Sequence, residues 1–485
     1  MSGASAPGSA DPSGSSAADV TAAVARAVAA APAAARATEA DRARWLRAIA
    51  DALDAAVDDL VPLAADETGL PVPRLTGEVA RTTDQLRRFA AAIEEGAHLE
   101  VVVDHADPTA APPRPDLRRM LVPLGPVAVY AASNFPFAFS VAGGDTASAL
   151  AVGCPVVVKT HPGHAATSRA TASVVARALA QAGAPDGVFA LVEGFAAGVA
   201  LVEEPGITGA AFTGSVRGGR ALADRAAARP VPIPFFGELG SLNPVVVTAA
   251  ADAARGSDLA AGLAGSFTLG AGQFCTKPGL VLVPADGVLE RELPAHVPGG
   301  SARMLTDGIG DAFLAGAARV AAVPGVHAII PATAAGAPAF SAVDADAFLA
   351  SAAELTEEVF GPATLLVRYR SPEELAAAVA ALPGSLTATL HAEPGEEVAP
   401  LVDALAARAG RVLFTGWPTG VAVTWAQHHG GPWPATTSQH TSVGVTAMRR
   451  FQRPIAYQDA PEALLPAALR DGWTGPRRVD GVLRA

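Results

Sequence analysis

The fold is decided by the stretch 121–158, which runs LVPLGPVAVYAASNFPFAFSVAGGDTASALAVGCPVVV. It contains two short apolar runs, Val127–Tyr130 and Val156–Val158, separated by a helical segment near Thr146–Val152. The alternation continues with apolar runs at Val188–Val192, Ala210–Phe212 and Val231–Phe236 and helical segments near Ser168–Gln181, Ala197–Glu203 and Gly219–Ala227. Strands that alternate with helices predict a parallel sheet covered on both faces. Such a doubly wound α/β domain is suited to nucleotide binding.

The rest of the chain divides around this domain. A length of 485 residues predicts two to three domains. We expect a disordered tail over 1–18, a nucleotide-binding domain with a helical N-terminal segment over 19–245, a second α/β domain over 246–425 and a C-terminal segment over 426–485. The second domain is predicted to contain the helix Asp258–Leu269 and the strand Leu280–Pro284. The last segment is rich in loops, with a strand within Val443–Tyr457 that packs on another domain or subunit.

The composition excludes several classes of protein. A net charge of −12 argues against nucleic-acid binding, which needs clustered Lys and Arg. The two cysteines form no disulfide framework, so we expect a reducing, cytoplasmic environment. The uncharged stretch Leu121–Gly144 contains three prolines, which suit a buried strand and turn better than a membrane helix. The first twenty residues lack the basic and apolar regions of a signal peptide.

Three residue types are unusually rare. Lysine, asparagine and cysteine each occur twice, at Lys159 and Lys277, Asn134 and Asn243, and Cys154 and Cys275. Arginine supplies the other basic residues, so the composition is biased toward Ala, Arg and Pro. A rare type that persists against such a bias is a candidate for a side chain that is hard to replace.

Cys275 lies in the segment Gly272–Pro278, GQFCTKP. A cysteine after a glycine-containing turn can direct its sulfur into a cleft and lie near backbone N–H groups, as a nucleophile requires. A buried structural cysteine is the alternative, and spacing alone does not decide between them. Cys154 opens a buried apolar strand, which favours a structural role.

Two further segments have residues suited to catalysis. Glu238 stands between glycines in FGELG (236–240), where a partly enclosed carboxylate can act as a base. Asn134 follows the first apolar strand in SNFPF (133–137), where its amide can donate to an oxyanion. Without further context an ordinary loop residue is the favoured interpretation of Glu238, whereas for Asn134 an amide that satisfies the local backbone is equally compatible.

Candidate cofactor residues follow two other strands. Lys159 ends the run Val156–Val158, at the edge where parallel sheets bind ligands. The segment 212–219, FTGSVRGG, joins a strand to a helix, so Gly214 and Ser215 can hold a pyrophosphate at the helix N-terminus. Its spacing is not GxGxxG, and each signal alone is weak.

Other chemistries receive little support. No serine stands in a GxSxG motif, which disfavours a serine hydrolase. Pro162 and Gly163 separate His161 from His164, so the two do not share a helix face as in HExxH. The adjacent pair at 428 and 429 has no cysteine beside it in sequence. We therefore predict no metal site.

In this order, the motifs resemble the aldehyde dehydrogenase superfamily. They are ETGLP (67–71), LGPVAV (124–129), the Asn134 turn, FTGS (212–215), ELG (238–240), GQFC (272–275) and EEVFGP (357–362). The forms SNFPF, PFFGELGSLNP, GQFCTKPG, GWPTGV and HGGPWPATTS are similar to the branch that contains 2,5-dioxovalerate (α-ketoglutaric semialdehyde) dehydrogenases and NADP-linked fatty aldehyde dehydrogenases. The resemblance covers nearly the whole chain after the tail.

The resemblance implies a fold and a set of roles. The fold would have two doubly wound parallel-sheet domains, one for the cofactor and one catalytic, plus a small bridging or oligomerisation segment. Cys275 would add to the aldehyde carbonyl, Asn134 and the Cys275 backbone N–H would hold the oxyanion, and Glu238 would activate the hydrolytic water. The implied cofactor residues are Lys159, Gly214, Ser215, Glu358 and Phe360.

The resemblance also bears on cofactor, substrate and assembly. NAD-preferring members often carry an acid three residues after the lysine, but Pro162 occupies that position here, so we favour NADP, with NAD also permitted. The stretch 193–200 contains no arginine for the 2′-phosphate. The leading substrate is α-ketoglutaric semialdehyde, and a long-chain or broad-specificity enzyme is the alternative. A catalytically silent nucleotide-binding protein is the alternative of another class. A homodimer or homotetramer is expected, and the substrate carboxylate's partner and the role of Lys277 stay open.

Overall fold

The computed structural model describes residues 14–418 and 420–484. Most of the predicted tail, 1–18, lies outside the described residues, and the first helix already begins at Ala17. Four helices form the N-terminal segment: α1 (Ala17–Arg36), α2 (Glu39–Ala55), α3 (Val57–Thr68) and α4 (Val72–Glu95). Ser16 and Thr38 cap α1 and α2 through reciprocal hydrogen bonds with Asp19 and Asp41.

Helix α1 is long and apolar enough to cross a membrane by length and composition, and it is the one such helix among the described residues. Its apolar face is nevertheless used inside the protein. Val20, Val24 and Ala27 are buried in a cluster with Ala128 and Val157 of the first parallel sheet. One face of α1 is therefore packed against the first sheet, and about a third of the helix is buried.

Two strands, β1 (Val101–Asp104) and β2 (Leu117–Pro123), precede the first parallel sheet. That sheet contains β3 (Val127–Tyr130), β4 (Val156–Lys159), β5 (Phe189–Val192), β6 (Gly209–Thr213) and β7 (Phe235–Glu238), and its helices are α5 (Gly144–Ala151), α6 (Ala165–Gln181), α7 (Phe195–Glu203) and α8 (Val216–Ala228). The strand order is β5-β4-β3-β6-β7, all parallel. The predicted strand Val231–Phe236 is wrong: the strand begins only at Phe235, because Pro232 and Pro234 have no N–H for a sheet ladder.

The second sheet has seven strands in the order β10-β11-β12-β9-β8-β13-β14. They are β8 (Val245–Val247), β9 (Leu280–Pro284), β10 (His327–Ile330), β11 (Ala339–Asp344), β12 (Ala363–Tyr369), β13 (Ser385–His391) and β14 (Ala409–Phe414). The helices around them are α9 (Ala249–Thr268), α10 (Val288–His296), α11 (Asp307–Ala321), α12 (Ala345–Ala350), α13 (Ala352–Leu355), α14 (Pro372–Ala380) and α15 (Ala399–Ala406). Only β10 pairs antiparallel. The predicted strand Leu280–Pro284 is confirmed, whereas the predicted helix Asp258–Leu269 starts nine residues earlier and has a non-helical backbone at Arg255 (φ −147°, ψ 28°).

A third, smaller sheet joins the two ends of the chain. It contains β15 (Gln452–Gln458), β16 (Arg477–Val479) and β17 (Val482–Arg484) in the order β15-β2-β1-β16-β17. The strand predicted within Val443–Tyr457 begins only at Gln452, since Val445–Phe451 forms a 3₁₀ turn. Strand β15 pairs antiparallel with β2 of the same chain, so this sheet takes strands from the 19–245 range as well.

Candidate active site

The strands of the first sheet end together at one edge. Tyr130 at the end of β3 is in register with Lys159 of β4 and Phe212 of β6, and Thr213 is in register with Glu238 of β7. The chain order reverses across β3, because β4 and β5 lie on one side and β6 and β7 on the other. Ligands of doubly wound sheets bind at the carboxyl edge beside such a reversal.

The Cys275 loop comes from the second domain and has an unusual backbone. Gly270, Ala271 and Gly272 have φ angles of 57°, 57° and 64°, in the left-handed region. A Cβ on Gly272 would lie 2.2 Å from the Gly361 carbonyl, so only glycine fits this turn. The turn leads through Gln273 and Phe274 to Cys275, which is half-buried.

Asn243 fixes the Cys275 loop. Its amide Nδ2 donates to the carbonyls of Cys275 (2.8 Å) and Lys277 (2.9 Å). Its Oδ1 accepts from the hydroxyls of Ser241 (2.7 Å) and Thr387 (3.1 Å). This buried network holds the Cys275 loop against Ser241 and Thr387.

Cys275, His429 and Glu238 form a connected group. The sulfur of Cys275 lies 3.5 Å from Nε2 of His429, and the same nitrogen lies 2.9 Å from Oε1 of Glu238. The Ser442 hydroxyl donates to the other oxygen of Glu238. His429 and Glu238 are both buried, with 0% and 2% of their surface exposed, so the partners of these groups are other side chains.

The charges in this group oppose each other. Burial alone would raise the pKa of Glu238, but His429, Ser442 and Arg450 outweigh burial and hold the pKa below its usual value. Burial, with the nearby Glu238 and Glu358, raises the pKa of Cys275 well above that of a free thiol. The resting pair is therefore a thiol beside a carboxylate, in which the carboxylate is the proton acceptor.

Asn134 reaches the Cys275 loop from the first domain. Its Nδ2 donates to the Gln273 carbonyl at 3.0 Å, two residues before Cys275, and the side chain is buried. Arg74 of α4 donates to the Asn134 carbonyl at 2.7 Å and lies over the rings of Phe135 and Phe274. The Asn134 amide therefore lies beside the loop of Cys275, with one N–H beyond the bond to Gln273.

The predicted cofactor residues of the first domain lie along the same edge. The stem of Lys159 packs on α7, where a Cβ on Gly198 would lie 3.3 Å from its Cε, and Nζ has no hydrogen-bond partner within 14–418 and 420–484. Ser215 caps α8 by accepting from the Gly218 N–H (3.2 Å), and Gly214 and Ser215 are both exposed. An ammonium and an exposed helix N-terminus at the same edge of the sheet fit a dinucleotide's ribose and phosphates.

Lys277 and Glu358 lie on the second-domain side. Lys277 is buried and donates from Nζ to the carbonyls of Val359 (3.0 Å) and Ala363 (2.7 Å), so it ties the Cys275 loop to the segment that carries Glu358 and Phe360. Burial raises the pKa of Glu358 to about 7, while burial lowers the pKa of Lys277 to about 8. A Cβ on Gly240 would lie 2.6 Å from Glu358 Oε2, so this carboxylate borders the Glu238 segment.

The structure also adds to the sequence interpretation of the histidines. His429 has no cysteine beside it in sequence, but the fold brings its Nε2 to 3.5 Å from the sulfur of Cys275. Glu238, Cys275 and His429 place three donor atoms within 4.8 Å of one another, a spacing that could hold a metal ion, and the absence of a metal site stays a prediction. The motif HGGPWPATTS contains His429, but nothing local to it points to Cys275. Cys154 is buried, and its thiol donates to the Phe451 carbonyl (3.3 Å), as a structural cysteine does.

Comparison with known proteins agrees with this arrangement. Residues 8–293 match the family model described as "Aldehyde dehydrogenase family". The chain is 48% identical over 461 residues to alpha-ketoglutaric semialdehyde dehydrogenase 2 of Azospirillum brasilense (91% of this chain, 87% of that protein). It is 41% identical over 463 residues to the alpha-ketoglutaric semialdehyde dehydrogenase of Acinetobacter baylyi (92% and 88%). A crystal structure of an NAD-dependent aldehyde dehydrogenase from Sinorhizobium meliloti superposes with a TM-score of 0.75 at 25% identity (94% and 89%). The predicted fold class is thereby confirmed, and the chain belongs to the aldehyde dehydrogenase family.

Proposed function

We propose that this enzyme oxidises α-ketoglutaric semialdehyde (2,5-dioxopentanoate) to 2-oxoglutarate. The observation that carries the proposal is the identity of 48% and 41%, over more than nine tenths of this chain, to two relatives that bear this substrate in their names. The family oxidises aldehydes with NAD(P), so the reaction class is that of the family and the substrate is the proposal.

In the proposed mechanism Cys275 is the nucleophile. Its sulfur attacks the aldehyde carbon while its proton passes to the His429–Glu238 pair, whose shared contact is 2.9 Å. The Asn134 amide and the Cys275 backbone N–H donate to the oxyanion of the resulting thiohemiacetal. NAD(P)⁺, when bound, supplies the hydride acceptor that converts this adduct to a thioester on Cys275.

Glu238 then completes the turnover. Once the proton taken from Cys275 has left the His429–Glu238 pair for solvent, the Glu238 carboxylate takes a proton from the water that attacks the thioester carbon, and the Cys275 thiolate leaves as the acid is released. The Ser442 hydroxyl and His429 hold both carboxylate oxygens, which keeps Glu238 oriented and ionised for this step. The Asn134 amide donates to the oxyanion formed when water adds to the thioester, as it does to the oxyanion of the thiohemiacetal.

NADP is the cofactor that we propose, with NAD also accepted. Lys159, Gly214 and Ser215 would hold the adenosine side and Glu358 and Phe360 the nicotinamide side. Pro162 presents no carboxylate beside Lys159, so nothing at that position repels a 2′-phosphate.

The guanidinium of Arg169 lies near the edge of the first sheet at which β4 and β5 end. Arg169 of α6 pairs with Glu193 at 2.7 Å, one residue past β5, and β5 is in register with the end of β4. The stretch 193–200 itself contains no arginine, so the guanidinium near this edge is that of Arg169, from the preceding helix α6.

An aldehyde panel assayed with each cofactor tests the proposal. We expect the highest kcat/KM for the five-carbon keto-acid semialdehyde with NADP, ahead of shorter semialdehydes and of long-chain aldehydes. A preference for long-chain aldehydes would refute the proposed substrate. A preference for NAD would refute only the cofactor.

Assembly and location are proposed with the function. The C-terminal strand β15 completes a sheet with β1 and β2, and Val482 and Leu483 of the edge strand β17 are 60% and 70% exposed. We expect this sheet to join subunits in a homodimer or homotetramer in the cytoplasm. Light scattering coupled to gel filtration gives the subunit number.

A further inference from the structure

Two arginines near the nucleophile have N–H groups that are buried and unused. Nη1 of Arg81 on α4, and Nε and Nη2 of Arg411 on β14, are buried and find no acceptor anywhere in the described ranges. No described Asp or Glu forms an ion pair with either arginine, whereas the buried Arg450 pairs with Asp145 at 2.6 Å. Both side chains are half-buried, and Glu78, one turn before Arg81, acts on it through its charge without forming an ion pair with it. Because buried N–H groups normally have an acceptor, those of Arg81 and Arg411 point to an anion from outside the chain.

Arg81 stands at one end of a row of aromatic rings that leads to Cys275. Its guanidinium lies 5.2 Å from the centre of the Phe139 ring. Phe139 contacts Phe135 at 5.2 Å, and Phe135 contacts Phe274 at 5.4 Å between ring centres. Phe274 directly precedes the nucleophile, so these rings make an apolar wall between the reacting sulfur and the cation.

The guanidinium of Arg81 has a hydrogen-bond acceptor on one side and none among the described residues on the other. Nη2 donates to the Val421 carbonyl at 3.1 Å, which anchors the head group against the 420–424 segment. Nη1 stays without an acceptor among the described residues. The charge of Arg81 acts on Cys275, since burial is the main cause that raises the pKa of this thiol and Arg81 is a cause that lowers it.

Arg411 approaches from the second domain. It is in register with Thr387 of the neighbouring parallel strand, so both side chains project from the same face of the sheet. The Thr387 hydroxyl donates to Asn243 Oδ1 (3.1 Å), and Asn243 in turn donates to the Cys275 carbonyl (2.8 Å). Arg411 therefore lies on the face that carries the Cys275 loop.

We propose that Arg81 and Arg411 bind the carboxylate at the far end of the aldehyde substrate and so select aldehydes that carry an acid group over neutral ones. Guanidinium groups suit this role because they present parallel N–H donors to a carboxylate. The substrate's carbon chain would lie along the rings of Phe139, Phe135 and Phe274. The inference rests on the proposed function and gives it a structural basis.

The test compares a carboxylate-bearing aldehyde with a neutral aldehyde of equal length, such as the five-carbon keto-acid semialdehyde and pentanal. We expect Arg81→Gln and Arg411→Gln each to lower kcat/KM about 10- to 100-fold for the acidic aldehyde, mainly through KM. For pentanal we expect a change below about threefold. Arg88→Gln on α4 and Arg408→Gln before β14 are matched controls, because Arg88 pairs on the surface with Asp84 and Arg408 bonds the Ala380 carbonyl.

Equal losses on both aldehydes would overturn the proposal, since they indicate a structural role, and so would no loss on either. Inhibition by glutarate against pentanal oxidation is a second measurement: its Ki should rise at least tenfold in each variant. Where a glutamine variant does not fold, Arg81→Lys and Arg411→Lys replace it, with a smaller rise expected because lysine loses the paired donors. A wild type that prefers another carboxylate-bearing aldehyde, with both variants behaving as expected, refutes the proposed substrate alone.

Discussion

His429 is the residue whose removal best tests the proton path of the site. Its Nε2 bonds Glu238 at 2.9 Å and lies 3.5 Å from the sulfur of Cys275. In His429→Leu the hydrogen bond is lost, while a side chain of similar size fills the space. A hydrogen bond to a charged group contributes about 1.5–3 kcal/mol. With tenfold in rate for about 1.4 kcal/mol, we expect kcat to fall about 10- to 100-fold.

The pH dependence of kcat should also change in His429→Leu, and the surroundings of Glu238 give the direction of that change. Burial raises the pKa of Glu238 and His429 lowers it, so removing His429 raises the pKa of the carboxylate. A base works only when it is deprotonated, and activity is lost as pH falls through its pKa. The acid limb of the kcat profile should therefore move to higher pH in His429→Leu.

Steady-state rates across pH, together with stopped-flow measurement of the first NAD(P)H turnover, check both parts. His428→Leu is the matched control, because His428 adjoins His429 but contacts neither Cys275 nor Glu238 among the described residues. His429→Gln, whose amide can still donate to the carboxylate, should recover part of the rate. A His429→Leu enzyme within threefold of wild type at every pH, or with an acid limb moved to lower pH, would refute the reasoning.

Other substitutions test the remaining groups. Cys275→Ser should abolish dehydrogenase activity with the unfolding midpoint unchanged, and residual turnover above about 1% of wild type would count against this nucleophile. Glu238→Gln should keep the first-turnover burst of NAD(P)H and slow later turnovers on the order of 10²–10⁴-fold, whereas loss of the burst would contradict a role in thioester hydrolysis. Asn134→Ala should lower kcat on the order of 10²–10³-fold, and a tenfold or smaller loss would exclude an oxyanion role. Pro162→Glu should raise KM for NADP far more than KM for NAD, and equal changes would argue against this position as the discriminator. Because the donor atoms of Glu238, Cys275 and His429 lie within 4.8 Å of one another, Zn²⁺ should inhibit reversibly and a chelator restore activity; insensitivity to Zn²⁺ would show that this group does not hold the ion.

The parts of the site that the sequence predicts are those that depend on local pattern. Apolar runs locate β3, β4 and β6. Because parallel strands present their carboxyl ends at one edge of a sheet, the same runs indicate that Lys159, Asn134 and Glu238 lie near one another. The sequence misplaces β7, because alternating prolines preserve an apolar pattern while removing the donors that a ladder needs. Hydrophobicity alone therefore cannot distinguish a strand from a proline-containing segment that forms no ladder.

His429 and Ser442 could not be predicted in the same way. His429 lies 154 residues after Cys275, and Ser442 lies 204 residues after Glu238, on a loop with few regular elements. What carries the loop to the site is tertiary pairing: the Leu239 N–H donates to the Ala435 carbonyl at 2.8 Å, and Glu238 forms an isolated bridge with Thr436. Such contacts depend on the relative placement of two domains, and no window of sequence contains that information.

The rare residues show what their retention means physically. Asn243 donates to two carbonyls and accepts from two hydroxyls in one buried position, and no other side chain of its size has donors and acceptors on adjacent atoms. Lys277 donates to two carbonyls from a single atom, where the broader guanidinium of arginine would need more room. Through these hydrogen bonds both residues hold the loop of Cys275 in place. A compositional bias toward arginine therefore preserves lysine and asparagine where geometry allows no substitute, and this demand arises in the supports of an active site as well as in its reacting groups.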